Sequence, residues 1–175
     1  MEAEALERED ALALLGSIPE RLSDLLSGFD ATRLRYRHGP AFPTLEEILR
    51  HLADAAQRLD QALRHVYVDN AQDVDVRAAL DASSENEAGE PPEELLQAYS
   101  RIRRRTVDLL RGLGPEDLER SIQDRTVGAL TMLDISRLVV THDLGHLTQL
   151  RNLLALVPEA EDVGSLGETM LLDEK

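Results

Sequence analysis

Apolar residues recur at helical spacing in four separate stretches of the chain, which cover about residues 6–26, 44–69, 93–112 and 131–157. Side chains three and four positions apart lie on one face of a helix, so each stretch predicts an amphipathic helix with one buried face. Such helices bury their apolar faces by packing against one another. The pattern therefore predicts an all-α fold, a four-helix bundle.

Two of these helices begin at a capping box, in which a threonine hydroxyl and a carboxylate three residues later bond each other's backbone N–H groups. The second helix opens at Thr44 with Glu47, and the fourth opens at Thr131 with Asp134, a shorter version of the usual glutamate. In the first helix, Pro19 either kinks the helix or starts a new first turn.

The segments between the helices differ in length and composition. Residues 71–92 are polar and acidic and predict a long surface crossover loop between the second and third helices, which permits a connection other than a hairpin. Residues 115–129 are less regular and predict extended or irregular backbone. We expect one domain over residues 1–175, with loosely held tails at residues 1–8 and 159–175.

Composition supports helix packing and restricts the choice of partners. Hydrophobic residues make up 42% of the chain and aromatic residues 3%, so the core must consist mainly of leucine, valine, isoleucine and alanine. The formal net charge of -15 repels nucleic acids and anionic membranes, so we expect neither as a partner. The start of the chain lacks the features of a signal peptide and no apolar run reaches membrane-spanning length, which predicts a cytoplasmic protein.

Two histidines, His142 and His146, lie four positions apart on the apolar face of the fourth predicted helix, and this spacing places both imidazoles on the same side. Buried imidazoles need polar partners. One divalent metal ion would satisfy both, and hydrogen bonds to a buried carboxylate or carbonyl are the alternative. Because the chain has no cysteine, a transition-metal site must use imidazole and carboxylate ligands.

His51 lies beside the apolar face of the second predicted helix and is the natural third ligand, since helical bundles build metal sites from side chains on facing helices. Three histidines from two helices would leave coordination positions open, as in catalytic sites. Gln149 is a candidate to hydrogen-bond a metal-bound water or a substrate, or else it is an ordinary interfacial glutamine. His38 and His65 lie in polar surroundings, and we expect neither to be a ligand.

Asp143 gives its segment the form His-Asp-x-x-His, which is similar to the His-Glu-x-x-His of zinc peptidases. We do not favour a peptidase, because aspartate is one methylene shorter than the general-base glutamate. Asp143 is also about 100° around the helix from His142, so we expect it to be solvated. For the arginine cluster at residues 101–105 we expect a solvated face or a salt-bridged interface, and not a nucleic-acid site.

Two blocks of the sequence resemble one known family. One is Phe42-Pro-Thr-Leu-Glu-Glu-Ile-Leu-Arg-His-Leu-Ala-Asp54, which has the family's aromatic residue, Ser/Thr, short helical turn and His-Leu-x-Asp. The other is Val140-Thr-His-Asp-Leu-Gly-His-Leu-Thr-Gln-Leu150, which has the family's His-x-x-x-His-x-x-Gln helix. Their order and separation also fit, and the chain resembles the DinB-like superfamily (DinB/YfiT type) of metal-dependent enzymes.

The resemblance implies an up-down-down-up four-helix bundle and one divalent metal ion, usually zinc or nickel, held by three histidines that map onto His51, His142 and His146. Family members with assigned activities include thiol-dependent S-transferases and isomerases that act with small cofactor thiols. Others are called hydrolases, and homodimers are common. One departure is Phe42-Pro43 where many members have tryptophan before the Ser/Thr, which concerns the shape of the pocket mouth.

The leading hypothesis is therefore a metal-dependent enzyme acting on a small molecule, in which the metal lowers the pKa of a bound thiol or water. Thiol transfer, with a low-molecular-weight thiol as partner, and hydrolysis both use this device. The alternative is a non-catalytic, stress-associated binding or structural bundle with a structural metal ion or none. An open coordination position beside a pocket would favour the enzyme, and a fourth protein ligand would favour the structural role.

Overall fold

Four long helices form the body of the molecule. The computed structural model describes residues 2–81, 90–114, 116–117 and 120–158. In chain order its helices include α1 (Glu2–Leu26), α2 (Ala31–Leu34), α3 (Leu45–Tyr67), α4 (Val76–Asp81), α5 (Pro92–Arg111) and α6 (Met132–Leu154). Helices α1, α3, α5 and α6 are the four that the apolar pattern predicts, so the prediction of a four-helix bundle is confirmed.

The long helices run in the up-down-down-up order that the family resemblance implies. An ion pair between Glu7 and Arg137 joins the beginnings of α1 and α6, so these two helices are parallel. A second pair, between Glu9 and Arg111, joins the beginning of α1 to the end of α5, so α5 runs the opposite way. Helix α1 packs on α5 and α6, whereas α3 packs on α5 and less extensively on α6. Helices α1 and α3 therefore occupy opposite corners of the bundle.

Both long connections contain short regular elements. The predicted crossover at residues 71–92 contains β1 (Asp73–Val74) and α4, and the stretch at residues 115–129 contains β2 (Ile122–Asp124) and the start of β3 (Gly128–Leu130). Strand β1 pairs with β2 in parallel, and β2 pairs with β3 antiparallel. The connection between α3 and α5 is long, as predicted, and it also supplies one strand of this small sheet.

Asp124 ties the small sheet to α4. Its carboxylate is buried and accepts hydrogen bonds from the backbone N–H groups of Val76, Arg77, Thr126 and Val127. Burial alone would raise the pKa of this carboxyl, but the backbone donors outweigh burial and hold the pKa below its usual value. The ionised carboxylate therefore fixes α4 relative to the turn between β2 and β3.

Leucine, valine, isoleucine and alanine supply nearly all of the core, as the composition predicts. Fully buried leucines come from each long helix, among them Leu15, Leu22, Leu52, Leu59, Leu110 and Leu150. Both predicted capping boxes are present, Thr44 with Glu47 at the start of α3 and Thr131 with Asp134 at the start of α6. Pro19 lies inside a continuous α1 and starts no new helix.

The two ends of the chain differ in what the structure describes. Helix α1 begins at Glu2, ahead of the start near residue 6 that the apolar pattern predicts. The predicted tail at residues 159–175 lies outside the described residues. Within the described ranges, none of the helices combines the length and the hydropathy that a bilayer-spanning segment requires.

Candidate metal centre

Three histidines converge where α3 faces α6. The Nε2 atoms of His51 and His142 are 3.1 Å apart, and one ring nitrogen from each of His51, His142 and His146 lies within 4.8 Å of the other two. The structure thus brings together the three residues that the sequence analysis selects as candidate metal ligands.

Local structure explains why the three side chains meet. The capping box at Thr44 sets the start of α3 and places His51 in its second turn. His142 and His146 are one turn apart in the middle of α6, so both point the same way. All three imidazoles are half-buried, which takes them partly out of water without closing the site to it.

The Nδ1 atoms of two of the histidines have partners of their own. His142 Nδ1 lies 2.8 Å from Oδ1 of Asp143, and His146 Nδ1 lies 3.0 Å from Oε1 of Gln149. Both partner oxygens are acceptors, so each Nδ1 carries the hydrogen and each Nε2 keeps its lone pair. Metal-binding histidines are commonly oriented by such a partner on the second nitrogen. Gln149 therefore contacts a histidine, a role that neither of the two expectations from the sequence includes.

Asp143 is fully buried, and the expectation that it is solvated is wrong. Tyr99 donates a hydrogen bond from Oη to its Oδ2 at 2.6 Å, and Arg103 donates from Nη2 to its Oδ1 at 3.1 Å. Nε of Arg103 also lies 2.9 Å from Oδ2, as an ion-pair contact that is not aligned as a hydrogen bond. The rotation of about 100° from His142 points Asp143 into the bundle interior, where it meets Tyr99 and Arg103 of α5, the helix diagonally opposite α6.

The arginine cluster of α5 also differs from the expectation of a solvated face. Arg103 is fully buried and salt-bridged, and Arg105 pairs with Asp60 of α3, so the alternative of a salt-bridged interface is confirmed for these two. Tyr99 and Arg103 lie one turn apart on α5, so helical spacing alone places them on one face. Tyr99 is one of the apolar positions at helical spacing in the stretch 93–112, and its place on that buried face is the sequence signal that carries Arg103 into the core with it.

The electrostatics of the cluster favour neutral imidazoles. Burial, together with the nearby His146 and His142, lowers the pKa of His51 to about 4, and burial next to His142 also lowers the pKa of His146. For Asp143, burial opposes ionisation, but the Arg103 guanidinium and the hydrogen bonds to the carboxylate outweigh it and hold the pKa below its usual value. At neutral pH the imidazoles of His51 and His146 therefore have lone pairs to offer a metal, and Asp143 is ionised.

A cavity of about 730 Å³ opens beside two of the histidines. His142, His146 and the intervening Gly145 line it from α6, whereas His51 is not among its lining residues. The lining is partly apolar and partly polar. Helix α6 also contributes Arg137, Leu138, Thr141 and Gln149, α4 contributes Arg77, Leu80 and Asp81, and the β3 region contributes Val127 and Leu130. Its volume is that of a site for a small molecule.

The remaining histidines and Phe42 lie outside the cluster. His38 packs edge to face against Phe42, with ring centroids 5.3 Å apart, and His65 contacts Asp69 near the end of α3. Phe42 is exposed and does not line the cavity. The departure from the family pattern at Phe42 therefore concerns a surface loop and not the mouth of this cavity.

The donor set fits a divalent transition metal. Three imidazole ligands suit zinc, nickel and similar ions, and the partners of His142 and His146 leave their Nε2 atoms available. Three protein ligands would leave further coordination positions of such an ion open. Among the residues that the structure describes, no second group of three or more histidines and carboxylates comes together in this way.

Comparisons with known proteins agree with the fold. The family model for the DinB superfamily matches residues 14–150. The solved structure of YfiT from Bacillus subtilis, described as a probable metal-dependent hydrolase with an unusual four-helix bundle topology, matches with a TM-score of 0.68 at 17% sequence identity, covering 83% of this chain and 85% of that chain. No curated protein matches the chain. The family match spans most of the chain, and the structural match shows the shared fold.

Proposed function

The chain belongs to the DinB superfamily, and from that membership and its histidine cluster we propose that it is a metal-dependent enzyme with one divalent ion held by His51, His142 and His146. The observation that carries the proposal is the convergence of three imidazole nitrogens within 4.8 Å of one another beside a cavity. Of the described residues, three ligands and no fourth join this cluster, as in catalytic sites and unlike closed structural ones.

Zinc and nickel are the ions that we propose. Both bind imidazole nitrogen well, and the family resemblance points to the same two. Such an ion would lower the pKa of a water or thiol ligand and so supply a nucleophile at neutral pH. The low pKa of His51 supports this role, because protons do not compete for its nitrogen at neutral pH.

The side chains around the cavity would bind and orient the substrate. Leu130 and Leu138 offer apolar contacts, and Arg77, Arg137 and Thr141 offer polar ones. A cavity of about 730 Å³ accommodates a small molecule and not a folded protein or a nucleic acid. We therefore propose a small-molecule substrate that combines an apolar part with a polar group.

Thiol transfer and hydrolysis are the two reactions that fit this site. Both need a nucleophile that is deprotonated near neutral pH, a low-molecular-weight thiol in the first case and water in the second. We place thiol transfer first, because the assigned members of the family that the chain resembles include thiol-dependent S-transferases. From the same resemblance we propose a homodimer, which light scattering would test. We also propose a cytoplasmic location, which cell fractionation would test.

Metal content tests the first part of the proposal. Protein purified without a nickel column should contain near-stoichiometric zinc or nickel by elemental analysis, and His51→Ala and His142→Ala should contain none. His65→Ala is the control and should keep the ion, because His65 is exposed and outside the cluster. A wild-type protein that holds no metal and takes up neither zinc nor nickel would refute the proposal.

Turnover tests the second part. The metal-loaded protein should convert either small electrophiles in the presence of a low-molecular-weight thiol or small esters and amides in water, and a chelator should abolish the conversion. A metal-loaded protein that is inactive in both screens, and whose ion is needed only for folding, would instead indicate a structural bundle.

A further inference from the structure

A buried charged cluster connects α5 to the histidines of α6. It consists of Tyr99, Arg103 and Asp143, and we call it the Asp143 cluster. All three side chains are fully buried. Asp143 accepts hydrogen bonds from Tyr99 Oη at 2.6 Å and from Arg103 Nη2 at 3.1 Å, and its Oδ1 lies 2.8 Å from Nδ1 of His142. The carboxylate therefore contacts a candidate ligand on one side and α5 on the other.

Stability alone does not explain this cluster. Burying a guanidinium and a carboxylate removes both charges from water, and apolar side chains of similar volume commonly serve stability as well. The pairing here is also incomplete, because Nη1 of Arg103 has no hydrogen-bond partner among the described residues. What distinguishes the Asp143 cluster from the leucines around it is its contact with His142.

The other buried carboxylate between long helices differs in this respect. Asp60 of α3 is fully buried as well, but its partners Arg64 and Arg105 are both more than two-fifths exposed and keep their charges partly in water. In the Asp143 cluster neither charge reaches solvent. Of these two carboxylates, Asp143 is therefore the one whose charged partner is also fully buried.

We propose that Asp143 is a positioning residue for His142. Its carboxylate accepts the hydrogen of Nδ1, which fixes the tautomer that leaves the lone pair on Nε2, and Tyr99 and Arg103 hold the carboxylate in place. The part of this inference that treats Nε2 of His142 as a metal ligand rests on the proposed function. It makes α5 part of the site, although α5 supplies none of the three histidines.

The two supported histidines differ in the charge of their partner. His146 is held by the neutral amide of Gln149, whereas His142 is held by the ionised Asp143. A carboxylate partner raises the basicity of an imidazole and so strengthens its bond to a metal ion. The carboxylate also brings a negative charge close to a divalent ion whose three imidazole ligands carry none. Loss of Asp143 should therefore weaken metal binding more than loss of Gln149.

Two variants of the cluster separate positioning from packing. Asp143→Leu combined with Arg103→Met removes both charges together, because Asp143→Leu alone would leave a buried guanidinium unpaired. Tyr99→Phe is milder, since it removes one hydrogen bond to the carboxylate and keeps the aromatic ring. If circular dichroism shows that the double variant is unfolded, the inference is tested with Tyr99→Phe alone.

The matched control is Asp60→Asn, which changes a buried carboxylate that contacts arginines and no histidine. Two readouts apply to every variant. Nitrogen NMR of the metal-free protein above neutral pH reports the tautomer of His142. Competition with a chelator gives the affinity for cobalt(II), a spectroscopic substitute for zinc, and its visible absorption reports the coordination geometry.

We expect His142 to carry its hydrogen on Nδ1 in the wild-type protein and to lose this preference in the double variant. Cobalt(II) affinity should fall by about 10–100-fold, with a changed absorption spectrum. Tyr99→Phe should show a smaller loss of affinity, and Asp60→Asn should bind cobalt(II) as the wild type does.

An unchanged tautomer and an unchanged cobalt(II) affinity in a folded variant of the cluster would overturn the inference. A loss of affinity as large in Asp60→Asn would also overturn it, because the effect would then follow from destabilisation. If the wild-type protein binds no metal but the tautomer of His142 still depends on Asp143, the proposed function fails and the positioning role stands.

Discussion

Gly145 is a glycine in the middle of a long helix, where alanine would be more stable, and it lines the cavity. It lies inside α6, and a Cβ added there would meet no atom within 4 Å. Glycine inside a helix costs about 0.5–1 kcal/mol relative to alanine. Because no neighbouring atom requires glycine here, we infer that the absent side chain leaves room for a substrate beside His142 and His146.

We expect Gly145→Ala to raise the free energy of unfolding by about 0.5–1 kcal/mol. Metal content should not change, and kcat/KM should fall, more so for larger substrates. Gly16→Ala is the matched control, since Gly16 is an equally open glycine inside α1 and outside the cavity. It should gain similar stability without losing activity. Denaturant unfolding and steady-state kinetics check both variants, and identical kinetics would show that Gly145 does not limit substrate size.

Single residues of the site are predictable when the reason for their position lies within one helix. The three histidines are found from sequence because helical spacing places them on or beside apolar faces. The sequence-based expectation for Asp143 is wrong because its partners, Tyr99 and Arg103, come from another helix 44 and 40 positions earlier in the chain. A helical wheel shows the angle at which Asp143 leaves α6, but not that side chains of α5 reach that point across the bundle interior.

Among the short elements, α4 and the small sheet depend on one carboxylate. Asp124 is 4% exposed and accepts backbone hydrogen bonds from Val76 at the start of α4 and from Thr126 in the turn between β2 and β3. Because α4 contributes Arg77 and Leu80 to the cavity, the position of this wall depends on Asp124. Hydrogen bonds to a charged group are each worth about 1.5–3 kcal/mol, so the loss of one such interaction is measurable.

We expect Asp124→Asn to lower the free energy of unfolding at neutral pH by about 2–3 kcal/mol, since the amide cannot replace a carboxylate that accepts several N–H groups. The folded-state pKa of Asp124 is below its usual value, so its contribution is present above the unfolded pKa of about 3.9 and is lost as pH falls through the folded pKa. The difference between wild type and variant should therefore shrink below about pH 4.

Urea unfolding across the acid range measures this difference. Asp73→Asn on β1 is the control, because Asp73 is exposed and pairs with Arg125 on the surface, where ion pairs contribute about 0–1 kcal/mol. A difference between wild type and Asp124→Asn that stays constant from neutral to acid pH would show that the carboxylate acts by its shape and not by its charge.

Element length decides which parts of the fold can be predicted. The long helices repeat their apolar pattern over several turns and open at recognisable capping boxes, so their types and starts are predicted well. Strands β1, β2 and β3 have two or three residues each, which is too short for an alternating pattern to be recognised in the sequence. Strand β1 pairs with β2 across about 50 positions of the chain, and Asp124 bonds the backbone of Val76 in α4, 48 positions away; no local pattern contains such contacts.

At the scale of the whole molecule, the histidine cluster joins α3 to α6, two long helices that pack on each other less extensively than the other neighbouring pairs do. Helix α3 packs more extensively on α5 than on α6, yet His51 of α3 meets the histidines of α6. The long connection in the sequence allows this crossover arrangement but does not specify which helices become neighbours. Which helices become neighbours follows from packing all four apolar faces at once. The apolar pattern therefore predicts the bundle, whereas the arrangement of its helices is predicted only by the family resemblance.

A metal ion at the cluster would therefore stabilise the bundle by linking α3 to α6. An ion that binds the folded chain at about 100 times its Kd adds about 2.7 kcal/mol, and for a protein of this length that raises Tm by roughly 5–10 °C. We expect a chelator to lower Tm by this amount in the wild-type protein and in His65→Ala, and to leave His51→Ala unchanged. Differential scanning calorimetry with elemental analysis of each sample measures both quantities. If the chelator removes the ion and Tm does not move, the ion does not link α3 to α6, since an ion that binds only the folded chain stabilises it by an amount that rises with the logarithm of its free concentration relative to Kd.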